Sequence, residues 1–89
     1  MKTIWKYTLR VGQVNQLTLP RTKKILHVGN QREEICVWFE VDTLYELSEK
    51  EHSFVVVGTG QVVESNWHHI GSAIFAGGDL VWHVYEVVS

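Results

Sequence analysis

The sequence predicts an all-β fold, a compact antiparallel sandwich or small barrel of about seven short strands. Three observations carry this expectation. Short runs either alternate apolar and polar residues or stay apolar throughout, and they are rich in β-branched and aromatic residues. Glycine, proline and polar clusters separate the runs at close intervals. Only residues 42–52 have any helical character.

Taken in order, Lys2 to Leu9 alternates cleanly, with Thr3, Trp5, Tyr7 and Leu9 on one face. Val11-Gly12-Gln13 is a turn candidate, and Gln16 to Leu19 is a short second strand stopped by Pro20, which donates no ladder hydrogen bond. Lys24 to Gly29 forms a third strand and Glu34 to Val41 a fourth, joined by a polar turn over Asn30 to Glu33. A turn at Gln31-Arg32 sets His27 opposite Cys36 and Leu26 opposite Val37. Asp42 to His52 reads as a loop with one helical turn, because Thr43 and Glu46 have capping-box spacing. Ser53 to Val57 is continuously apolar after its first residue, hence a strand buried on both faces, and Gly58-Thr59-Gly60 stops it.

The stretch from His68 to Val88 is the strongest hairpin signal. Two apolar runs flank Ala76-Gly77-Gly78-Asp79, and glycine accepts the positive φ that tight hairpin turns need. A turn at Gly77-Gly78 pairs Phe75 with Leu80, Ala73 with Trp82 and Gly71 with Val84, with Trp82 over Ala73 and Gly71 on a core face. On the other face it pairs Ile74 with Val81, Ser72 with His83 and Ile70 with Tyr85. His69 then sits near Glu86 as a cross-strand ion pair.

Eighty-nine residues, 45% hydrophobic and 20% charged, make one domain, residues 1–89, with a thin core. The single cysteine, Cys36, excludes an internal disulfide and fits a reducing setting. No secretion-signal run and no membrane-length run occurs, so the expected localisation is cytoplasmic. The net charge of −2 conceals an asymmetry: residues 1–32 hold seven of the eight lysines and arginines and no acid, while all ten acids follow from Glu33 onward. One reading is pairing of basic strands with acidic ones. The other is a basic surface that receives an anion. A long nucleic acid is not expected, because a phosphate-tracking domain is usually basic overall.

Several motifs occur together: KTIWKY at 2–7, the Pro20 turn before KILHV at 24–28, Gln31, C-x-W at 36–38, GTGQ at 58–61, HIG at 69–71 and LVWHVYE at 80–86. In order and spacing the chain resembles a family of short proteins of tailed bacteriophages and prophages. The resemblance implies a viral origin, and with it a structural accessory, a regulator of host proteins or an inhibitor of host defence.

No catalytic constellation stands out. Ser53, Ser65 and Ser72 lie in no nucleophile elbow, and Cys36 sits mid-strand as an inert small hydrophobe. Of the five histidines, His68 and His69 are adjacent, and a His27–Cys36 pair supplies two ligands where zinc wants at least three. No metal and no cofactor is therefore expected. GTGQ is not a Walker loop. It is either a glycine bend leaving a strand, or a nest of backbone N–H groups for an anion, with Thr59 and Gln61 adding hydrogen bonds and Gly60 allowing close approach. Trp5, Tyr7, Trp38 and Trp82 fall inside strands and are expected in the core. Trp67, in a polar setting, is the best stacking candidate.

The expected function is that of a non-enzymatic, homo-oligomeric binding protein that sequesters a small anionic nucleotide, such as a cyclic host-defence second messenger. The candidate ligand-binding residues are Lys6, Gln31, Arg32, Thr59, Gly60, Gln61, Trp67 and His69. The rival expectation is a protein–protein interaction module or structural accessory without a small ligand. A metal-dependent hydrolase using the histidines is third.

Overall fold

The predicted runs become seven strands in a computed structural model that describes residues 1–43 and 49–88. They are β1 (Lys2–Leu9), β2 (Asn15–Pro20), β3 (Lys24–Gln31), β4 (Glu34–Asp42), β5 (Glu49–Gly58), β6 (Trp67–Phe75) and β7 (Leu80–Val87). Neighbouring strands pair antiparallel in two sheets, ordered β1-β4-β3 and β2-β5-β7-β6. The sheets pack face to face as a sandwich, with β3 against β6, and neither closes into a barrel. No helix among the described residues is long and apolar enough to cross a membrane.

Alternation explains the core. Trp5, Tyr7 and Leu9 of β1 and Ile35, Val37, Phe39 and Val41 of β4 face inward. They meet Leu17 and Leu19 of β2, Phe54 and Val56 of β5, Ala73 and Phe75 of β6, and Val84 of β7. Phe39 and Phe54, one from each sheet and both fully buried, sit 5.7 Å apart, and Tyr7 packs edge-on against Phe39 at 6.0 Å. Each such ring contributes about 1.5–3 kcal/mol through burial. Because β7 lies between β5 and β6, residues 59–66 must cross the outer face of β7 to start β6. On the outer side of β5 Val57 is buried as well, while Val55 stays half-buried.

The β6–β7 hairpin keeps the predicted register from Phe75–Leu80 to Gly71–Val84. A β-bulge at Ile70 ends the agreement: His69, not Ile70, lies opposite Tyr85, and His68, not His69, lies opposite Glu86. The extra residue turns His69 and Trp67 to the outer face, a common use of a bulge. Trp82 rests beside Gly58, and Gly71 is approached by Val28 of the opposite sheet rather than by Trp82.

The β3–β4 turn also differs from expectation. Its two central residues are Arg32 and Glu33, at φ 51° and 67°, not Gln31 and Arg32. Gly29 therefore lies opposite Cys36, Val28 opposite Val37 and His27 opposite Trp38, and a bulge at Leu26 shifts the pairing beyond it, setting Ile25 opposite Phe39. The polar run Asn-Gln-Arg-Glu contains no glycine to mark the turn. In the 42–52 region, strand extends to Asp42 and resumes at Glu49. The expected helical turn, Glu46 included, falls on residues 44–48, outside the described residues.

Two buried polar groups fasten the strands on either side of β5. Asn15 accepts from the Arg10 N–H at 2.8 Å and donates to the carbonyls of Arg10, Gln13 and Phe54, fixing the β1–β2 turn against β5. On the other side of β5, where Glu86 also lies opposite Phe54, Glu86 binds Lys23 Nζ at 3.1 Å and His52 Nδ1 at 3.0 Å. His52 Nε2 is buried without a partner among the described residues. Burial lowers the His52 pKa below its ordinary 6.5, against the opposing pull of the Glu86 hydrogen bond.

Candidate functional site

A sandwich has two outer faces, and the predicted site residues divide between them. Lys6 points outward from the three-stranded sheet, since its neighbours Trp5 and Tyr7 pack on the core. Its ammonium donates to Gln31 Oε1 at the end of β3. Arg32 follows at the exposed turn, with no ion-pair partner among the described residues. Thr59, Gly60, Gln61, Trp67 and His69 belong to the four-stranded sheet and its crossing segment. Packed sheets lie about 10 Å apart, so the two groups cannot share one small ligand within a single chain.

The face around Lys6 combines charge with aromatic surface. Lys6, Trp38 and His27 form one row across β1, β4 and β3. The His27 and Trp38 rings lie 5.4 Å apart, and Trp38 is half-buried rather than in the core. His27 also folds over Gly29, where an added Cβ would come within 2.6 Å of its Nε2. Beneath, Cys36 is buried with its Sγ 3.8 Å from Thr8 Oγ1. Farther along, Lys2 pairs with Glu40 at 3.6 Å, while Lys24 makes no ion pair among the described residues. Basic and acidic strands thus pair in part, and Lys6, Lys24 and Arg32 are left available. Glu33 and Glu34 follow Arg32 directly, and Gln31, bound to Lys6, precedes it.

The opposite face is hydroxyl- and imidazole-rich. Thr59 Oγ1 contacts His83 Nε2 at 3.0 Å, His83 Nδ1 contacts Ser72 Oγ at 2.8 Å, and Ser72 Oγ contacts His69 Nε2 at 3.0 Å. Rings continue the strip: His69 lies 5.2 Å from Tyr85, and Tyr85 lies 6.1 Å from Trp67. In the bend Gln61 is exposed, and its Oε1 accepts the backbone N–H of Gly58. Gly60, at φ 93°, has open space around it.

The sequence reading missed His27, Trp38, Ser72, His83 and Tyr85. Strand alternation signals Ser72, His83 and Tyr85 once the hairpin register is known. His27 and Trp38 needed the turn position, which nothing local marks. Among the described residues no group of three or more His, Cys, Asp or Glu side chains could hold a metal ion. A concavity of about 510 Å³ opens at one end of the sandwich. Leu9, Ile35, Phe75 and Trp82 line it, with Arg10 among its polar groups.

The chain belongs to the family described as Domain of unknown function (DUF7352), whose model matches residues 1–89. No curated protein and no solved structure matches it.

Proposed function

We propose that this chain is a non-enzymatic binding protein for a small anionic nucleotide, held on the outer face of the three-stranded sheet. The observation that carries the reading is the row Lys6–Trp38–His27, where a half-exposed indole lies between an ammonium and an imidazole. Sheet faces with exposed aromatics are a recurring platform for bases, each stack contributing about 1–3 kcal/mol. Lys6, Lys24 and Arg32 supply attraction for phosphate, and Arg32 adds a planar fork. Arg32 and Glu33 both adopt left-handed backbone without being glycine, a strain that tends to persist at functional tips.

A viral origin and a role in sequestering a host second messenger belong to the same proposal. So does a homo-oligomer. Val11, Val14, Val62 and Val63 are exposed, and Val11 and Val14 line an apolar groove of about 320 Å³ with Val55, Val57 and Trp67. A second copy would bury that surface. The same groove favours the alternative, a protein-interaction module with no small ligand.

Thermal shift against cyclic di- and trinucleotides tests the proposal. A specific ligand at a hundred times its dissociation constant stabilises by about 2.7 kcal/mol. Lys6→Gln and Arg32→Gln should reduce the shift and leave the ligand-free midpoint in place. No shift with any nucleotide would replace this reading with the interaction module.

A further inference from the structure

Two imidazoles converge on one hydroxyl on the outer face of the four-stranded sheet. His69 Nε2 lies 3.0 Å and His83 Nδ1 lies 2.8 Å from Ser72 Oγ. We propose that His69, His83 and Ser72 form a coordination site for a late first-row divalent transition ion, with Cu²⁺ and Ni²⁺ preferred over Zn²⁺.

The spacing comes first. Adjacent ligands at right angles around an ion, with bonds of about 2.1 Å, lie roughly 3.0 Å apart. The two nitrogen–oxygen separations have that value. Imidazole nitrogen suits copper, nickel and zinc, and right-angled N,O sets favour copper and nickel over tetrahedral zinc. The remaining positions would hold water, so the site is an open one.

A second, independent observation concerns the far side of His83. Its Nε2 lies 3.0 Å from Thr59 Oγ1, beyond the proposed site. When that nitrogen carries the proton and donates to Thr59, Nδ1 is the unprotonated nitrogen, on the Ser72 side of the ring. Metal-binding histidines characteristically have such a partner on their other nitrogen, which sets tautomer and ring orientation. His69 is steadied by its edge contact with Tyr85.

Electrostatics agree. Alternation places Val55, Val57, Val81, His83, Tyr85, Ser72, His69 and Trp67 outward around this point, and no lysine or arginine lies among them. An approaching cation meets no like charge there. The Ile70 bulge is what makes the convergence possible, because without it His69 would not share a face with Ser72 and His83.

The test is calorimetric titration of the intact protein with Ni²⁺ and separately Cu²⁺, in a non-coordinating buffer without nucleotide. One ion per chain is expected. His69→Ala and His83→Ala should each weaken binding tenfold or more, and Thr59→Val about tenfold through lost orientation. His27→Ala and His68→Ala should bind as the parent does. Should His83→Ala fail to fold, His69→Ala decides alone, since it changes an exposed side chain. Parent-like affinity in His69→Ala, or a loss that follows His27 or His68 instead, overturns the proposal.

Discussion

Asn15 illustrates how much one side chain can organise at the residue scale. Its amide joins four backbone groups from the β1–β2 turn and β5 while only 8% exposed. Asn15→Ala leaves buried donors and acceptors unsatisfied, so unfolding free energy should fall by about 1–3 kcal/mol in urea titrations. The β3–β4 turn should respond in the opposite direction. Replacing Arg32-Glu33 with Asn-Gly relieves two left-handed non-glycine residues, and the hairpin should gain about 1 kcal/mol. The proposal requires the same double variant to lose nucleotide affinity, since it removes the Arg32 guanidinium. Neither residue's role is legible in the sequence. Asn15 looks like an ordinary turn asparagine, because the three carbonyls it serves come together only in the fold.

At the scale of elements, strand identity was legible and register was legible only where glycines marked a turn. Gly77-Gly78 located the β6–β7 turn, so five predicted pairs hold. Bulges at Leu26 and Ile70 leave no local signature, because they answer to the packing of β3 on β6. Gly71 records that packing. A Cβ there would lie 2.6 Å from Val28 Cβ and Cγ2, so Gly71→Ala should destabilise by about 1–3 kcal/mol through overpacking. The buried His52–Glu86 pair predicts a pH dependence. His52 titrates below its unfolded value of 6.5, so between the two pKa values the unfolded chain binds more protons. Its neutral form is stabilising at neutral pH, and that stability is lost as pH falls from about 6.5 through the lowered folded pKa. Urea midpoints should drop from ~pH 7.5 to ~pH 5.5, and His52→Leu should flatten the dependence.

At the scale of the whole molecule, the sandwich separates two chemistries that the sequence interleaves. Cations with an indole occupy one outer face, and imidazoles with hydroxyls occupy the other. The basic sign of residues 1–32 was legible, but its division between faces was not, since that depends on which sheet each strand joins. Proposed oligomerisation predicts a scattering mass above the 10.3 kDa of one chain. The most direct test of nucleotide binding is amide and indole chemical-shift mapping during titration with a nucleotide that gives a thermal shift. The account predicts perturbations at Lys6, His27, Gln31, Arg32 and the Trp38 indole N–H, with Thr59, Trp67 and His69 unmoved. Perturbations confined to Thr59, Trp67 and His69, with the Lys6–Trp38–His27 row silent, would contradict it.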